Sequence, residues 1–467
     1  MGKQSTKPPK GTRDFLGPEL VLRHRVIRII QEVYESFGFE PLETPSFERL
    51  DTLLGKYGDE GDQLVFKILH RAQHLVTGVR EAAAALAQPG TIVVGRTGET
   101  APSVEPLLAD LGLRYDLTVP LARVVAQYRN QLPPVYRRYQ IQPVWRADTP
   151  SKARFREFHQ CDVDVAGSCS PLVEVEVVSA VSTCLARLGF DAARVRVNHR
   201  GLLRSVMRVA GVPSDLEVTS IVALDKLDKM GPDGVRAELA ERGIEAASAE
   251  RLLGVLDARE TLDSVGAFVA QDEEGVEAVA NLRRILELAQ GTAAGERLLF
   301  SATLARGLGY YTGAIFEVED PGLGASLGGG GRYDGLVGMF SGKDVPACGF
   351  SLGLERILVL LQERGGLAED RAQPRVLLAA TQAGASTASL ELARALRDAG
   401  FAVSLAPDPL KAARARKEAD ERGYDAAVLV GEGEGLGLWL RSAPGVRDRR
   451  ASTADAVVAA IRAELSA

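Results

Sequence analysis

Short runs that are wholly apolar, or that alternate between apolar and polar, recur at residues 90–95, 135–145, 161–166, 298–304 and 314–318. Runs of this length favour strands over helices, and their recurrence predicts an antiparallel sheet with helices on one side. Upstream, Leu22, Val26, Ile29, Ile30, Val33 and Phe37 repeat at helical spacing with Arg23, Arg25, Arg28 and Glu32 between them, an amphipathic helix that Gly38 ends. Residues 39–45 are strand-like, but Pro41 and Pro45 lack the N–H that a ladder needs, which predicts an edge or an interface.

The texture then changes twice. Residues 195 to about 290 are charged and helix-forming, with Asp225, Lys226, Asp228 and Lys229 set around Leu224 and Leu227, and they predict an inserted helical subdomain. Residues 363–374, rich in Gly, Ala and charge, read as a linker. Beyond them strand (376–380), helix (390–399), strand (401–405), helix (410–422) and strand (426–430) alternate, the pattern of a small α/β domain with a parallel sheet. The expectation is an α+β chain divided at 1–194, 195–295, 296–362, 363–374 and 375–467, and 467 residues are indeed more than one core usually organises.

Hydrophobic residues at 46% and charged residues at 25% exclude a chain dominated by disorder or by membrane spans. No apolar run is long enough to cross a bilayer, and the polar, basic residues 1–10 have no apolar segment behind them, so a cytoplasmic location is expected. The four cysteines, Cys161, Cys169, Cys184 and Cys348, form neither a metal knuckle nor a redox pair and read as buried reduced thiols. A net charge of −6 gives no sign of nucleic acid, although a local basic patch depends on clustering and not on the sum.

Four stretches mix charges and special-geometry residues into otherwise apolar sequence, and buried charge is costly unless it meets a partner or a ligand. In Leu113-Arg114-Tyr115-Asp116-Leu117-Thr118-Val119-Pro120, alternation puts Arg114, Asp116 and Thr118 on one face, where an acid beside a hydroxyl can bind an ammonium group; alone, it reads equally as a solvated sheet face. In Val144-Trp145-Arg146-Ala147-Asp148-Thr149-Pro150 and the residues after it, two strands are joined by a basic loop carrying Lys152 and Arg154, directed outward to a polyanion. On the returning strand His159, Cys161 and Val163 face one way, and Phe158, Gln160, Asp162 and Asp164 the other.

The third stretch, Leu304-Ala305-Arg306-Gly307-Leu308-Gly309-Tyr310-Tyr311-Thr312-Gly313, delivers an arginine and two phenols beside glycines that permit close backbone approach. The fourth pairs Gly328-Gly329-Gly330-Gly331-Arg332-Tyr333-Asp334-Gly335 with a strand-to-helix step, Gly349 to Gly353, that presents Glu355 and Arg356. Neither glycine cluster fits a P-loop or a dinucleotide fingerprint. Any one of Arg146, Arg306 and Arg356 reads as a surface residue, but three in such settings point to phosphate binding. A charge pair at 4 Å gains about 1 kcal/mol in water and about 4 kcal/mol in a partly buried site, so such a cluster acts only in a closed pocket.

Together these stretches resemble the histidyl-tRNA synthetase family over nearly the whole chain. Residues 37–48 are similar to class II motif 1, Arg146 through Gln160 to motif 2, and Gly349 to Arg356 to motif 3; Arg306 to Tyr311 and Gly330 to Gly335 are similar to two histidine-specific signatures. The resemblance implies a class II antiparallel catalytic sheet flanked by helices, a helical insertion and a C-terminal α/β anticodon-binding domain, in a homodimer. It also implies that Asp116, Thr118 and Gln160 hold the amino group of histidine, while Asp164, Tyr310, Tyr311 and Tyr333 bond and wall the imidazole. Arg146 and Arg306 would grip the α-phosphate of ATP and Arg356 the outer phosphates, with Asp148 and Glu355 also at the nucleotide, Lys152 and Arg154 at the tRNA, and Mg2+ accompanying ATP.

Asp116 and Asp164 stand where many relatives have glutamate and resemble the eukaryotic branch. Gly309 replaces a usual aspartate, and the loop at 149–153 lacks a glutamine common near the acceptor stem. After Gly431-Glu432-Gly433-Glu434 the chain departs from the family pattern into Gly435-Leu436-Gly437-Leu438-Trp439-Leu440 and the arginines 441, 447, 449 and 450, which either bind RNA phosphate or solvate a surface. Three other readings remain: a regulatory subunit of ATP phosphoribosyltransferase, a non-catalytic sensor of uncharged tRNA, and an enzyme that adenylates histidine for an acceptor other than tRNA.

Overall fold

The computed structural model describes residues 5–465 apart from 88–103, 152, 225, 257–259, 306–308, 323–325, 367–372, 383–385, 432–434 and 442–448. The strand expected at 90–95 lies outside the described residues. The chain forms two compact units, Met1–Leu367 and Ala368–Ala467.

In the first unit the strands are β1 (Glu40–Pro41), β2 (Phe47–Arg49), β3 (Lys67–Leu69), β4 (Ala109–Leu113), β5 (Tyr136–Trp145), β6 (Glu157–Ala166), β7 (Arg194–His199), β8 (Leu298–Phe300), β9 (Ala314–Glu319), β10 (Gly328–Arg332) and β11 (Ala347–Gly353). Eight of them form one sheet in the order β1-β5-β6-β11-β10-β9-β7-β8, and β2-β4-β3 form a small second one. The large sheet is mixed: its six central strands are antiparallel, while β1 and β8 pair parallel at the two edges. Pro41 thus sits on an edge strand, where its missing N–H costs no ladder bond. The strand expected to reach 304 stops at Phe300, because the Asn198 amide takes the carbonyls of Ala302 and Leu304.

The register divides this sheet into two chemically distinct faces. Tyr139, Val163, Phe350, Phe316 and Val197 lie in one row across it, with Gly330 among them, and all five side chains are buried. Helices Gly17–Ser36, Leu172–Arg187 and Leu354–Glu363 cover that face. One residue along, the pleat turns Arg138, Asp164, Gly349 and Gly331 to the opposite face, followed by Gln140, Asp162, Ser351 and Gly329, then Gln142, Gln160 and Gly353. The sheet therefore carries a greasy side that holds the fold and a polar side available for chemistry.

Six helices, Arg200–Ala210, Glu217–Leu224, Leu227–Glu241, Ala246–Val255, Leu262–Phe268 and Glu273–Ala289, run between β7 and β8. Asp272 caps the last by accepting from Gly275 N–H at 3.1 Å. Their apolar faces, through Leu202, Val206, Leu252, Leu282 and Ile285, belong to the same hydrophobic core as the sheet. Cys161, Cys184 and Cys348 are buried free thiols; Cys169, expected to be buried, is exposed, in the turn before helix Leu172–Arg187.

The second unit is built on β12 (Arg375–Ala380), β13 (Ala402–Leu405), β14 (Ala426–Val430), β15 (Leu436–Leu440) and β16 (Arg449–Ala451), in the order β13-β12-β14-β15-β16. The first three are parallel, as expected, but β15 and β16 run antiparallel, so the sheet is mixed and not wholly parallel. The short stretch between β14 and β15 cannot make the crossover that a parallel neighbour requires. The segment that departs from the family pattern is thus a strand, with Leu438, Trp439 and Leu440 buried.

A buried ion pair ties the covering helices to the sheet. Arg23 Nη1 donates to Glu355 Oε1 at 2.8 Å, Glu355 Oε2 accepts from the His159 backbone N–H at 2.8 Å, and Arg23 Nη2 lies against His159 Nδ1. Burial, with the Arg23 charge beside it, pushes the His159 imidazole down to about 3, so it stays neutral in the fold while an unfolded chain binds a proton near 6.5. Its contribution to stability is complete above about pH 6.5 and declines as pH falls toward 3. His159→Gln, which keeps an acceptor for Arg23, is expected to flatten the loss of urea stability between pH 7 and pH 4.5; an unchanged slope would show that His159 takes no part in acid unfolding.

Candidate active site

Asp116 lies at the centre of the polar side. Tyr57 Oη donates to its Oδ1 at 3.1 Å and Tyr310 Oη to its Oδ2 at 3.3 Å, while Oδ1 also accepts from the Val119 N–H at 3.0 Å. That last bond corrects the expectation of a continuous strand from Leu113 to Pro120. β4 ends at Leu113 and helix Thr118–Gln127 begins two residues after Asp116, whose carboxylate takes an N–H of its first turn, so the alternation breaks. Arg114 is wholly buried, donating to the carbonyls of Thr44, Pro45 and Pro143 and to Gln142 Oε1 at 3.0 Å. Thr118 opens the helix that follows Asp116 and lies near the Tyr310 hydroxyl.

Gln160, Asp162 and Asp164 project from β6 on the same face, as the alternation predicted, at 7%, 1% and 2% exposure. Gln160 donates to Ser351 Oγ at 2.7 Å, Tyr333 donates to Asp164, and Arg138 Nη2 stands 3.0 Å from Asp164 and 3.7 Å from Asp162. Burial pushes the carboxyls of Asp116, Asp162 and Asp164 upward, against the pull of Arg138 on the latter two. Gln160 Oε1 is buried with no hydrogen-bond partner among the described residues, and Asp164 Oδ2 has only its 3.0 Å ion pair with Arg138. Buried acceptors left in this state are rare and mark a place for a donor from outside.

Tyrosine rings wall this space. Tyr310 meets Tyr311 and Tyr333 edge-on, at centroid separations of 4.9 and 6.2 Å, and all three are buried. The glycine strands make the room. A Cβ on Gly349 would stand 1.8 Å from Asp164 Oδ1, and one on Gly331 would stand 2.8 Å from the Tyr311 ring. At Gly309 a Cβ would meet nothing within 4 Å.

The phosphate-binding candidates cluster at one end of these strands. Arg146 follows β5, and its guanidinium is stacked 4.2 Å from the Tyr115 ring centroid and 5.2 Å from that of Phe158, with Nε donating to the Tyr115 carbonyl at 3.0 Å. Arg356 follows β11 in the first turn of helix Leu354–Glu363 and donates to the Ser326 carbonyl. The register places Trp145 opposite Glu157, and Gly353 opposite Gln160, so both arginines leave the sheet at the same end. Arg306 and Lys152 lie outside the described residues. Asp148 is buried and pairs at 2.8 Å with Arg154, whose side chain is 57% exposed on the loop between β5 and β6. Glu355, expected at the nucleotide, is corrected: at 4% exposure, with both oxygens bonded to Arg23 and His159, it is a structural tie.

Two residues central to the site escaped the sequence reading. Tyr57 carried no signal, since it stands alone. Arg138 did carry one, because Tyr136, Arg138, Gln140 and Gln142 alternate along β5 as a polar stripe matching that of β6.

Residues 107–357 match the family model described as histidyl-tRNA synthetase. This chain belongs to the histidyl-tRNA synthetase family. It is 40% identical over 454 residues to a protein named histidine–tRNA ligase from Flavobacterium johnsoniae, covering 92% of this chain and 94% of that one. A protein of the same name from Christiangramia forsetii is 39% identical over 440 residues, with 92% and 93% covered. Among solved structures, histidyl-tRNA synthetase from Nostoc sp. PCC 7120 superposes with a TM-score of 0.74 at 25% identity, covering 97% of this chain and 99% of that one. A Bacillus halodurans structure described as an ATP phosphoribosyltransferase regulatory subunit/histidyl-tRNA synthetase, at TM-score 0.69 and 22% identity, covering 92% of this chain and 99% of that one, shares the fold. The class II synthetase architecture expected of the family is the one observed, a helix-flanked sheet with a second α/β unit.

Gly349→Ala is expected to displace the Asp164 carboxylate and raise the histidine KM about 10-fold to 100-fold, the equivalent of one charged hydrogen bond, while moving the ATP KM less than about twofold. Steady-state exchange kinetics measure both; an unchanged histidine KM would mean that Asp164 has no contact with the substrate.

Proposed function

We propose that this chain is a histidine–tRNA ligase: it activates histidine with ATP to histidyl-adenylate and pyrophosphate, then transfers histidine to the 3′ end of histidine tRNA. The observation that carries the reading is the buried acceptor Gln160 Oε1, without a hydrogen-bond partner among the described residues, beside Asp164, whose Oδ2 meets only the Arg138 ion pair at 3.0 Å, all set among acids and phenols. A polar amino acid with a cationic amino group and a ring N–H supplies the donors this pocket lacks.

In this reading Asp116, Thr118 and Gln160 receive the α-amino group, and Asp164, Tyr311 and Tyr333 the imidazole, with Tyr310 between. The histidine carboxylate attacks the α-phosphorus of ATP in line and pyrophosphate leaves, so no side-chain nucleophile is needed; positioning and charge stabilisation carry the catalysis. Arg146, held flat on Tyr115, and Arg306 grip the α-phosphate, Arg356 holds the outer phosphates, and Asp148 orients the loop through Arg154. Mg2+ enters with ATP as part of the substrate; among the described residues no group of three or more acids, histidines or cysteines stands ready to hold a metal.

Lys152 and Arg154 meet the tRNA acceptor end and residues 375–467 its anticodon; the insertion within the catalytic domain is the run of helices from Arg200–Ala210 to Glu273–Ala289, so the boundary expected at 195 moves past Arg194–His199, which is β7 of the large sheet. A homodimer fits Phe47, Leu69, Val76 and Val79, which are each about half exposed on neighbouring elements after the motif 1 strand, apolar area of the kind a second copy covers. The location proposed is cytoplasmic, and no helix among the described residues is long and apolar enough to cross a membrane.

Histidine-dependent exchange of pyrophosphate into ATP, followed by charging of histidine tRNA, tests the proposal. Both activities are expected, and Arg306→Ala is expected to abolish exchange with the fold intact. Exchange without charging would instead indicate another acceptor for the adenylate, and neither activity would favour the regulatory or sensor reading.

A further inference from the structure

We propose that Arg138 is the positioning residue on which histidine recognition depends, holding Asp164 on one side and the Leu117 peptide, between Asp116 and Thr118, on the other; this rests on the histidine pocket proposed above. Arg138 is wholly buried on the polar side of β5. Its Nη2 stands 3.0 Å from Asp164 Oδ2 and donates to the Leu117 carbonyl at 3.2 Å, and its Nη1 donates to Gln140 Oε1 at 3.2 Å. One planar group thus spans the carboxylate assigned to the imidazole and the turn assigned to the amino group. A guanidinium suits this span, because its donors are fixed in one plane, whereas an ammonium is a point charge.

The charge matters as much as the reach. Asp164 is faced by Asp162 on its own strand, by Arg138 from β5, by the Tyr333 hydroxyl after β10, and by Asp116 with its Tyr57 and Tyr310 partners from the turn after β4; Gly349 of β11 contributes no side chain. Arg146 acts on Asp116. Arg138 is therefore the cation that ion-pairs with Asp162 and Asp164 among the described residues. Burial pushes both carboxyls upward and Arg138 is the strongest group drawing them back. Without its charge, Asp164 is a neutral acid over more of the neutral range and ceases to be a full acceptor for a ring N–H.

The test uses the full-length protein in histidine-dependent pyrophosphate exchange, with histidine and ATP varied separately from pH 5.5 to 9. Arg138→Gln is expected to raise the histidine KM about 10-fold to 100-fold, leave the ATP KM within about twofold, and move the acid limb of kcat/KM for histidine upward by about one pH unit. Titration of free histidine affects wild type and variants alike, so the difference between them isolates the protein group. Arg138→Lys, which keeps the charge but not the fork, is expected to raise the histidine KM while leaving the acid limb near its wild-type position. It carries the test alone if Arg138→Gln does not fold. A histidine KM within twofold of wild type, or histidine and ATP KM rising together with an unmoved pH limb, would overturn the inference. Absence of exchange in the wild type would instead overturn the histidine pocket itself.

Discussion

A β-carbon on Gly349 would stand 1.8 Å from Asp164 Oδ1, and much of the site depends on that one exclusion. Asp164 leans from β6 across β11, which only a residue without a side chain permits. The same holds one strand further, where Gly331 of β10 leaves the space taken by the Tyr311 ring. Glycines weaken strands through lost packing and greater unfolded entropy, so a glycine strand belongs in a sheet only where its neighbours hold it on both edges. Here β9 and β11 do so, and the apolar row beneath, with Phe316 and Phe350 flanking Gly330, supplies the packing that the glycines omit.

What the opened face holds is an imbalance of charge. Three acids are buried together, with one wholly buried arginine paired to two of them and the Gln160 acceptor without a hydrogen bond among the described residues. Such an arrangement is unfavourable in an empty protein and becomes favourable when a cationic amino group and a ring N–H arrive. The site is destabilised in advance of binding, and the Arg23, Glu355 and His159 tie on the far side of the sheet belongs to the structure that keeps it from relaxing.

The fold was legible where residue type and period agree. The Gln160, Asp162, Asp164 stripe and the C-terminal strand-helix alternation reflect backbone periods that sequence displays directly, whereas the strand Gly328–Arg332 has no side-chain period to show. The start of helix Thr118–Gln127 was not, because the apolar-polar alternation runs on through residues that leave β4 at Leu113 and enter a helix, where the Val119 N–H donates to Asp116. Glu355 misled for a similar reason: its position beside Arg356 suggested the nucleotide, while the side chain turns to Arg23, 332 residues away in the chain. Contacts so distant in sequence have no local signature. The polar stripe on β5 shows the intermediate case, visible in the sequence but meaningful only once β5 and β6 are known to pair.

Calorimetric titration with two ligands decides whether the polar side of the sheet recognises histidine through its ring N–H. Histidine and β-(2-thienyl)alanine share an amino group, a carboxylate and a five-membered ring, but the second has no ring N–H. Histidine is expected to bind and the thienyl analogue to bind about 10⁴-fold more weakly or below detection, because it leaves a buried acceptor unpaired. Comparable affinity for the two would contradict it.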